Sequence, residues 1–281
     1  MGKKIFLIDV MPLLFKYHYR YLHNPFITKK GQNVSAIYGV INFLFEVLEK
    51  EEPDYIMIAC DCKEPTFRHK LYKEYKGTRK EKPEELVQQI EIIKDVIDEI
   101  NISFVKIPGY EADDIVGTIA KKSEAMGLKV FCVTIDKDYM QLISENIKVY
   151  RPTNFGDEIE IFSEAEVIDK FGVKVNQLLD YFALMGDDSD NIPGVPGVGE
   201  KTARSLLKEF NSLDNIYKNI DKIGKKGLVQ KLQSGKDLAF LSKTLVTIDT
   251  NVPVKENIDS FKVKKDTVQN IKNYITKLLN K

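Results

Sequence analysis

Lys4-Ile5-Phe6-Leu7-Ile8-Asp9 is a run of four apolar residues bounded by a cation and an acid, and its reading decides the fold. An apolar run this short and uninterrupted predicts a strand buried on both faces, with the aspartate standing where the strand ends. The design returns in Tyr55-Ile56-Met57-Ile58-Ala59-Cys60-Asp61 and again in Leu128-Lys129-Val130-Phe131-Cys132-Val133-Thr134-Ile135-Asp136. Residues 102–107 give a fourth strand without a terminal acid. Helical patterns over residues 34–50, 83–100 and 111–126 lie between these strands, the last closed by Gly127. In the second of them Pro83 fits a first-turn proline, and Leu86, Ile90, Ile93, Ile97 and Ile100 recur at spacings of four and three on one face. Strands alternating with helices predict an α/β fold with a mainly parallel central sheet and helices on both faces.

The pattern changes after residue 150. A hairpin-like stretch over 149–162 leads to Ser163 and Glu166, which have capping-box spacing, and from there only helical signals follow. The cluster Ile192-Pro193-Gly194-Val195-Pro196-Gly197-Val198-Gly199 interrupts them. The expected organisation is an acid-lined core over residues 1–186 and a small helical module with C-terminal helices over 187–281.

The whole chain has 281 residues, 43% of them apolar, which is enough to bury a sizeable core. Its 42 Lys+Arg balance 42 Asp+Glu, yet residues 194–281 carry 17 basic against 9 acidic residues, so the preceding part is correspondingly acidic. Ile5 to Ile8 is too short for a signal-peptide core, and no stretch reaches membrane-spanning length, so the sequence predicts a soluble cytoplasmic protein with no membrane partner. The three cysteines read as reduced core residues, with Cys60 and Cys62 placed in a strand. His18, His23 and His69 lack zinc spacing.

Parallel α/β sheets bind ligands beyond the carboxyl ends of their strands, which is where Asp9, Asp61 and Asp136 should meet. Glu111, Asp113 and Asp114 open a helix, Asp138 follows Asp136 by two, and Asp187 and Asp190 stand in Gly186-Asp187-Asp188-Ser189-Asp190-Asn191. So many carboxylates at one edge repel one another unless cations neutralise them. Oxygen-only donors without His or Cys favour magnesium or manganese. A pair of such ions about 4 Å apart is the clamp used for displacement at phosphorus, so the acids point to phosphodiester hydrolysis.

Residues 63–82 hold eight Lys or Arg, with Tyr72 and Tyr75 interleaved, and follow directly on the strand that ends in Asp61. They should overhang the acids and meet phosphates and bases, with Lys76 or Arg79 stabilising transition-state charge. Gly194 to Gly199 has P-loop spacing, but no strand precedes it and Lys201-Thr202 come one position late, so nucleotide binding is rejected there. What remains is a glycine turn opening a helix, a phosphate site with no base readout.

These motifs resemble, in order and spacing, the 5′ nuclease family: the 5′→3′ exonuclease domain of bacterial DNA polymerase I, its stand-alone relatives, phage 5′ exonucleases and flap endonucleases. The likeness rests on Leu7-Ile8-Asp9; Asp61 with Thr66-Phe67-Arg68-His69; Glu74-Tyr75-Lys76-Gly77-Thr78-Arg79; Gly109-Tyr110-Glu111-Ala112-Asp113-Asp114; Asp136-Lys137-Asp138 with Gln141-Leu142; Gly186-Asp187 through Val195; and Gly197-Val198-Gly199-Glu200-Lys201-Thr202-Ala203. It spans residues 4–255. It implies a PIN-like nuclease core with a helix-turn-helix-like DNA-binding module, and a helical arch at about 63–95, centred on 76–89, that passes a single-stranded 5′ end.

By the same resemblance Asp9, Asp61, Glu111, Asp113 and Asp114 would hold one metal, and Asp136, Asp138, Asp187 and Asp190 would complete the second. Lys76 and Arg79 would act on the scissile phosphate, while Arg68, Tyr75, Gly197, Gly199, Lys201 and Thr202 would contact DNA. The implied cofactors are two Mg2+ ions, replaceable by Mn2+, and a K+ ion in the helix-turn-helix-like module. The implied partner is DNA with a free 5′ end, flap or junction, RNA-primed ends included, acted on by a monomer linked covalently or functionally to a DNA polymerase. Val10 and Ile135 depart from the small residues usual at those positions without removing a ligand. Two other readings compete: a PIN-type ribonuclease and a catalytically silent DNA-junction binder.

Overall fold

The computed structural model describes residues 2–153 and 158–280. Strand β1 (Lys4–Asp9) runs parallel between β2 (Tyr55–Ala59) and β4 (Lys129–Val133), as four consecutive apolar residues require. Outside these lie β3 (Ser103–Val105), parallel to β2, and β5 (Ile147–Pro152), parallel to β4. Antiparallel β6 (Ile159–Phe162) closes the order β3-β2-β1-β4-β5-β6. The hairpin expected over 149–162 is present on both arms, and its tip at 154–157 lies outside the described residues.

Helices α1 (Val10–Arg20), α2 (Ser35–Glu51), α3 (Phe67–Leu71), α4 (Glu84–Glu99), α5 (Ala112–Ala125), α6 (Glu164–Phe171) and α7 (Leu178–Met185) belong to the first two thirds of the chain. The remainder forms α8 (Glu200–Phe210), α9 (Leu213–Lys218), α10 (Lys226–Ser234), α11 (Lys236–Val246) and α12 (Thr267–Asn280). Alternate residues of β1 enter different cores, as the period of two in a strand dictates. Phe6 and Ile8 pack among α1, α2, α4 and α12. Ile5 and Leu7 pack among α5, α7, α8 and α11. Because α7, α8 and α11 share that second core with α5, the helical half continues the hydrophobic interior of the sheet.

Four expectations shift. The strand expected over 102–107 shortens to Ser103–Val105, since it lies at the sheet edge with one neighbour and runs into Pro108-Gly109. Pro83 caps α4 in an extended conformation (ψ 138°) instead of entering its first turn. Strand β2 ends at Ala59, so Cys60 and Cys62 lie beyond it; Cys60 and Cys132 are buried and Cys62 is half-buried, all three free. The largest shift is α12, which was expected with the C-terminal helical module. Its buried face, Ile271, Tyr274 and Leu278, packs against α2 on the opposite side of the sheet. The chain reaches α2 through a bridge of Lys262 with Tyr55 and a bond from Val263 N–H to Asp54 O at 3.0 Å. Among the described residues no helix is long and apolar enough to cross a membrane.

Candidate active site

Neighbouring parallel strands end at one edge of the sheet, and the order β2-β1-β4 sets Asp61, Asp9 and Asp136 side by side there. Asp9 terminates β1 and caps α1, accepting from Met11 N–H at 3.2 Å. It also accepts from Tyr139 Oη at 3.0 Å. Burial, and then Asp61 and Asp136 beside it, hold the Asp9 carboxyl well above the ordinary carboxylate range. Asp61 accepts from Ala112 N–H at 2.8 Å and so docks the start of α5 on the same edge. Glu111 caps α5 in a reciprocal box with Asp114. Burial, followed by the adjacent Asp114, raises the Asp113 carboxyl well above its usual range.

A second group of acids joins this edge. Asp136 caps the short 3₁₀ turn Lys137–Leu142 through Asp138 N–H at 3.0 Å. Burial raises Asp136 and, with Asp136, Asp187 and Asp190 near it, raises Asp138 further. Asp187 and Asp190 come from the loop between α7 and α8, pinned by Asp187 N–H to Ile192 O at 2.9 Å and Ile192 N–H to Asp187 O at 2.8 Å. Gly186 (φ +80°) and Gly194 (φ +61°) stand back to back behind this loop. A Cβ on Gly194 would come 2.4 Å from Gly186 N, so both positions need glycine. Gly194 therefore shapes the acid loop, a role that its place in a glycine-rich turn did not suggest.

Cations from the chain fill the space among the acids. Lys76 Nζ lies 3.0 Å from Glu111 Oε1 and 3.8 Å from Asp190 Oδ2. Arg79 pairs with Asp190, and Lys137 with Asp187 at 2.9 Å. Lys76 is held in the left-handed region (φ +56°), its N–H donating to Asp190 O at 2.9 Å, a strained backbone that fixes where its ammonium emerges. Among the described residues no three Asp, Glu, His or Cys side chains close around one ion-sized point. The donor set nevertheless fits hard cations. It is all carboxylate, Asp138 Oδ1 is buried without a hydrogen-bond partner, and four of the carboxyls are pushed up by burial and by one another.

A cavity of about 800 Å³ opens over the first group. Asp9, Asp61, Glu111, Asp113 and Asp136 form its floor, and Lys63, His69, Lys76, Arg79, Lys80 and Lys82 its roof. Asp138, Asp187 and Asp190 lie outside this lining. One wall was not foreseen: Met11, Pro12, Phe15 and Tyr19 of α1. Their i, i+4 spacing directly after Asp9 was the available signal. The arch expected at about 63–95 is narrower in the structure. From Glu84 the chain is α4, packed through Leu86 and through Gln89, whose Oε1 accepts from Ala36 and Ile37 N–H at 2.9 and 3.2 Å. Only the segment before it overhangs the acids.

Two residues expected at DNA are buried instead. Arg68 is 1% exposed, lodged between α5 and the end of α11, so it cannot reach a nucleic acid. Tyr75 is 4% exposed and its hydroxyl donates to Glu111 Oε2 at 3.0 Å and Asp190 Oδ2 at 3.2 Å, which leaves no open ring face for a base. Asp114, expected at a metal, is fully buried with both oxygens taken by Arg68 and by backbone N–H groups. At the other expected contact, Gly197 is in the left-handed region (φ +78°) and Gly199 caps α8. Lys201 is exposed and Thr202 half-buried.

The sequence matches two family descriptions end to end: "5'-3' exonuclease, N-terminal resolvase-like domain" over residues 4–172 and "5'-3' exonuclease, C-terminal SAM fold" over 173–269. A 5'-3' exonuclease of Aquifex aeolicus is 37% identical over 254 residues, covering 90% of this chain and 85% of that protein. DNA polymerase I of Bacillus subtilis is 39% identical over 257 residues, 91% of this chain but 29% of the polymerase, so the chain spans less than a third of the polymerases it matches. Among solved structures, a T5 5'-exonuclease with bound zinc superposes with a TM-score of 0.73 at 22% identity, covering 99% of this chain and all of that one. Flap endonuclease-1 from Methanococcus jannaschii superposes at 0.59 and 19% identity, covering 99% and 93%. These likenesses carry the fold: a mostly parallel sheet followed by a helical domain.

Proposed function

The chain belongs to the 5'-3' exonuclease family, and from that premise we propose that it is a hydrolase cleaving DNA phosphodiesters at free 5′ ends and at 5′ flaps, with divalent metal. The observation that carries this reading is the convergence of acids from three adjacent strand ends and from the start of α5 beneath a roof of Lys and Arg. An anionic floor can hold cations, and a cationic roof can hold the phosphates between.

Asp9, Asp61, Glu111, Asp113 and Asp136 would hold one ion, and Asp138, Asp187 and Asp190, with Asp136, the other; Asp114 is excluded by its pairing with Arg68. Magnesium is the ion we assign, with manganese able to replace it, and when bound it would polarise the phosphate and lower the pKa of water. Lys76 and Arg79, now paired with Glu111 and Asp190, stand where they can turn to a phosphate entering the cavity and stabilise its growing charge. Residues 63–82 would admit the single strand. Gly197, Gly199, Lys201 and Thr202 would grip duplex phosphates at the start of α8 without reading bases. The K+ ion that the resemblance implies would be held by backbone oxygens of this turn, beside Lys231, whose Nζ donates to Gly197 O at 3.1 Å.

We assign residues 1–186 to the nuclease core and 187–250 to the duplex grip, with the remainder returning to the core. We further propose a cytoplasmic monomer acting beside, or joined to, a DNA polymerase, as the polymerase relatives suggest. Sizing the products from a 5′-labelled flap in magnesium tests the activity. Mono- and dinucleotides together with a cut at the junction are expected, and an intact flap refutes it.

A further inference from the structure

The guanidinium of Arg68 uses all five of its N–H groups inside the protein. Nη1 donates to Asp114 Oδ2 at 2.8 Å and to Glu111 Oε2 at 3.2 Å, and Nη2 donates to Asp114 Oδ1 at 2.7 Å. The other two bonds leave α5 altogether: Nε donates to Leu245 O at 2.8 Å and Nη2 to Thr247 O at 2.7 Å, both at the C-terminal end of α11. Asp114 is as fully used, since it also accepts from Asp249 N–H at 2.8 Å and Glu111 N–H at 3.3 Å. Burial opposes the charge on Arg68, but Asp114, Asp113 and Glu111 hold its pKa above the ordinary range.

The same turn of chain is gripped from its other side. Gln141 Nε2 donates to Val246 O and to Asp138 O, each at 2.9 Å, and Gln141 Oε1 accepts from Ile248 N–H at 2.9 Å. Residues 245–248 thus sit between two side chains, one bonded to Glu111 and the other to the backbone of Asp138. Each of those acids belongs to a different group at the sheet edge. Neither Arg68 nor Gln141 lines the cavity, so neither touches a substrate bound there.

We propose that Arg68 and Gln141 are positioning residues that brace the two groups of acids on the end of α11, so that the helical half sets the spacing of the acid edge. Arg68 acts through Glu111, and Gln141 through the turn carrying Asp138. This inference rests on the nuclease reading above. Guanidinium is suited to the task because its planar fork meets a carboxylate with two bonds while a third edge remains for carbonyls, which an ammonium cannot reproduce.

The test uses the full chain, with R68K, Q141L and the apolar pair R68M/D114L. Three quantities are measured: kcat and KM on a 5′-labelled flap in magnesium, flap affinity in EDTA, and Mn2+ binding by calorimetry without DNA. Bracing predicts that R68K and R68M/D114L lose roughly 100-fold in kcat, and Q141L roughly 10-fold, as misplaced supporting groups do. KM and affinity in EDTA should stay within about threefold, and Mn2+ should bind about tenfold more weakly. R68M/D114L removes the buried pair without stranding a charge, so a folded variant with parental kcat and Mn2+ affinity reduces Arg68 to a structural ion pair and overturns its role. If that variant does not fold, R68K and Q141L decide: parental kcat in both overturns the proposal, and a fall in kcat with KM held supports it. A parent chain that leaves the flap intact refutes the nuclease reading itself, a result separable from any variant's behaviour.

Discussion

The acid edge of the sheet and the turn that opens α8 both face phosphate in the function proposed here, and they are made in opposite ways. The edge draws side chains from β1, the second residue beyond β2, the start of α5, the 3₁₀ turn beyond β4 and the loop after α7, and it buries most of them. The turn needs only a few consecutive residues, Gly197 to Thr202, with Lys201 exposed and the backbone itself as the binding surface. Charge concentrated away from water has to be held by the entire fold, whereas a phosphate grip can be local. Damage to the two regions should therefore be unequal in size and different in kind.

The largest effect is expected at the edge. D113N should lower turnover on flap DNA by about 10³-fold while affinity in EDTA stays within about threefold, measured by single-turnover cleavage and by fluorescence anisotropy. Equal losses in both would dissolve the contrast. G186A tests how far the fold supports the edge, because its Cβ would meet Ile192 O at 2.5 Å in a left-handed conformation. Thermal or urea unfolding should reveal a loss of about 3 kcal/mol, with activity falling in step. K76A should reduce kcat by about 100-fold and lower stability by about 1–3 kcal/mol, since it leaves the buried Glu111 and Asp190 short of a cation. The smallest effect belongs to the turn. K201A should raise KM by only about two- to fivefold, and the slope of log affinity against log salt should drop by about one, with kcat intact. A loss of kcat in K201A would mean that the turn and the edge are not separable.

The edge was largely legible because an acid after a short apolar run is a local signal, and parallel pairing turns three local signals into one place. Arg68 was misread for the corresponding reason. It stands in a run of cations that elsewhere point to solvent, and only the arrival of Leu245 and Thr247 shows that this one is enclosed. Tyr75 likewise has the composition of a stacking ring and the environment of a core residue. Helix α12 was misplaced because an amphipathic pattern states that one face is covered and not by what. Its return to α2 also changes the electrostatics. Seven of the 17 basic residues after Gly194 follow residue 250, and of these Lys262 to Lys277 return with the chain to the sheet, so the positive surplus around the α8 turn is only about half of what the sequence count suggested.

The bond from Arg68 to Leu245 spans 177 positions of sequence, and the one to Thr247 spans 179. Contacts so distant along the chain carry a large loop-closure cost and cannot form before both of their ends exist. During synthesis, a ribosome-bound chain has its strands and most of its acids well before it has the end of α11. Until that turn arrives, Arg68 has no carbonyls to donate to and Glu111 lacks its brace. Cleavage competence would then wait for the end of α11, about 55 residues after the last of the acids at Asp190.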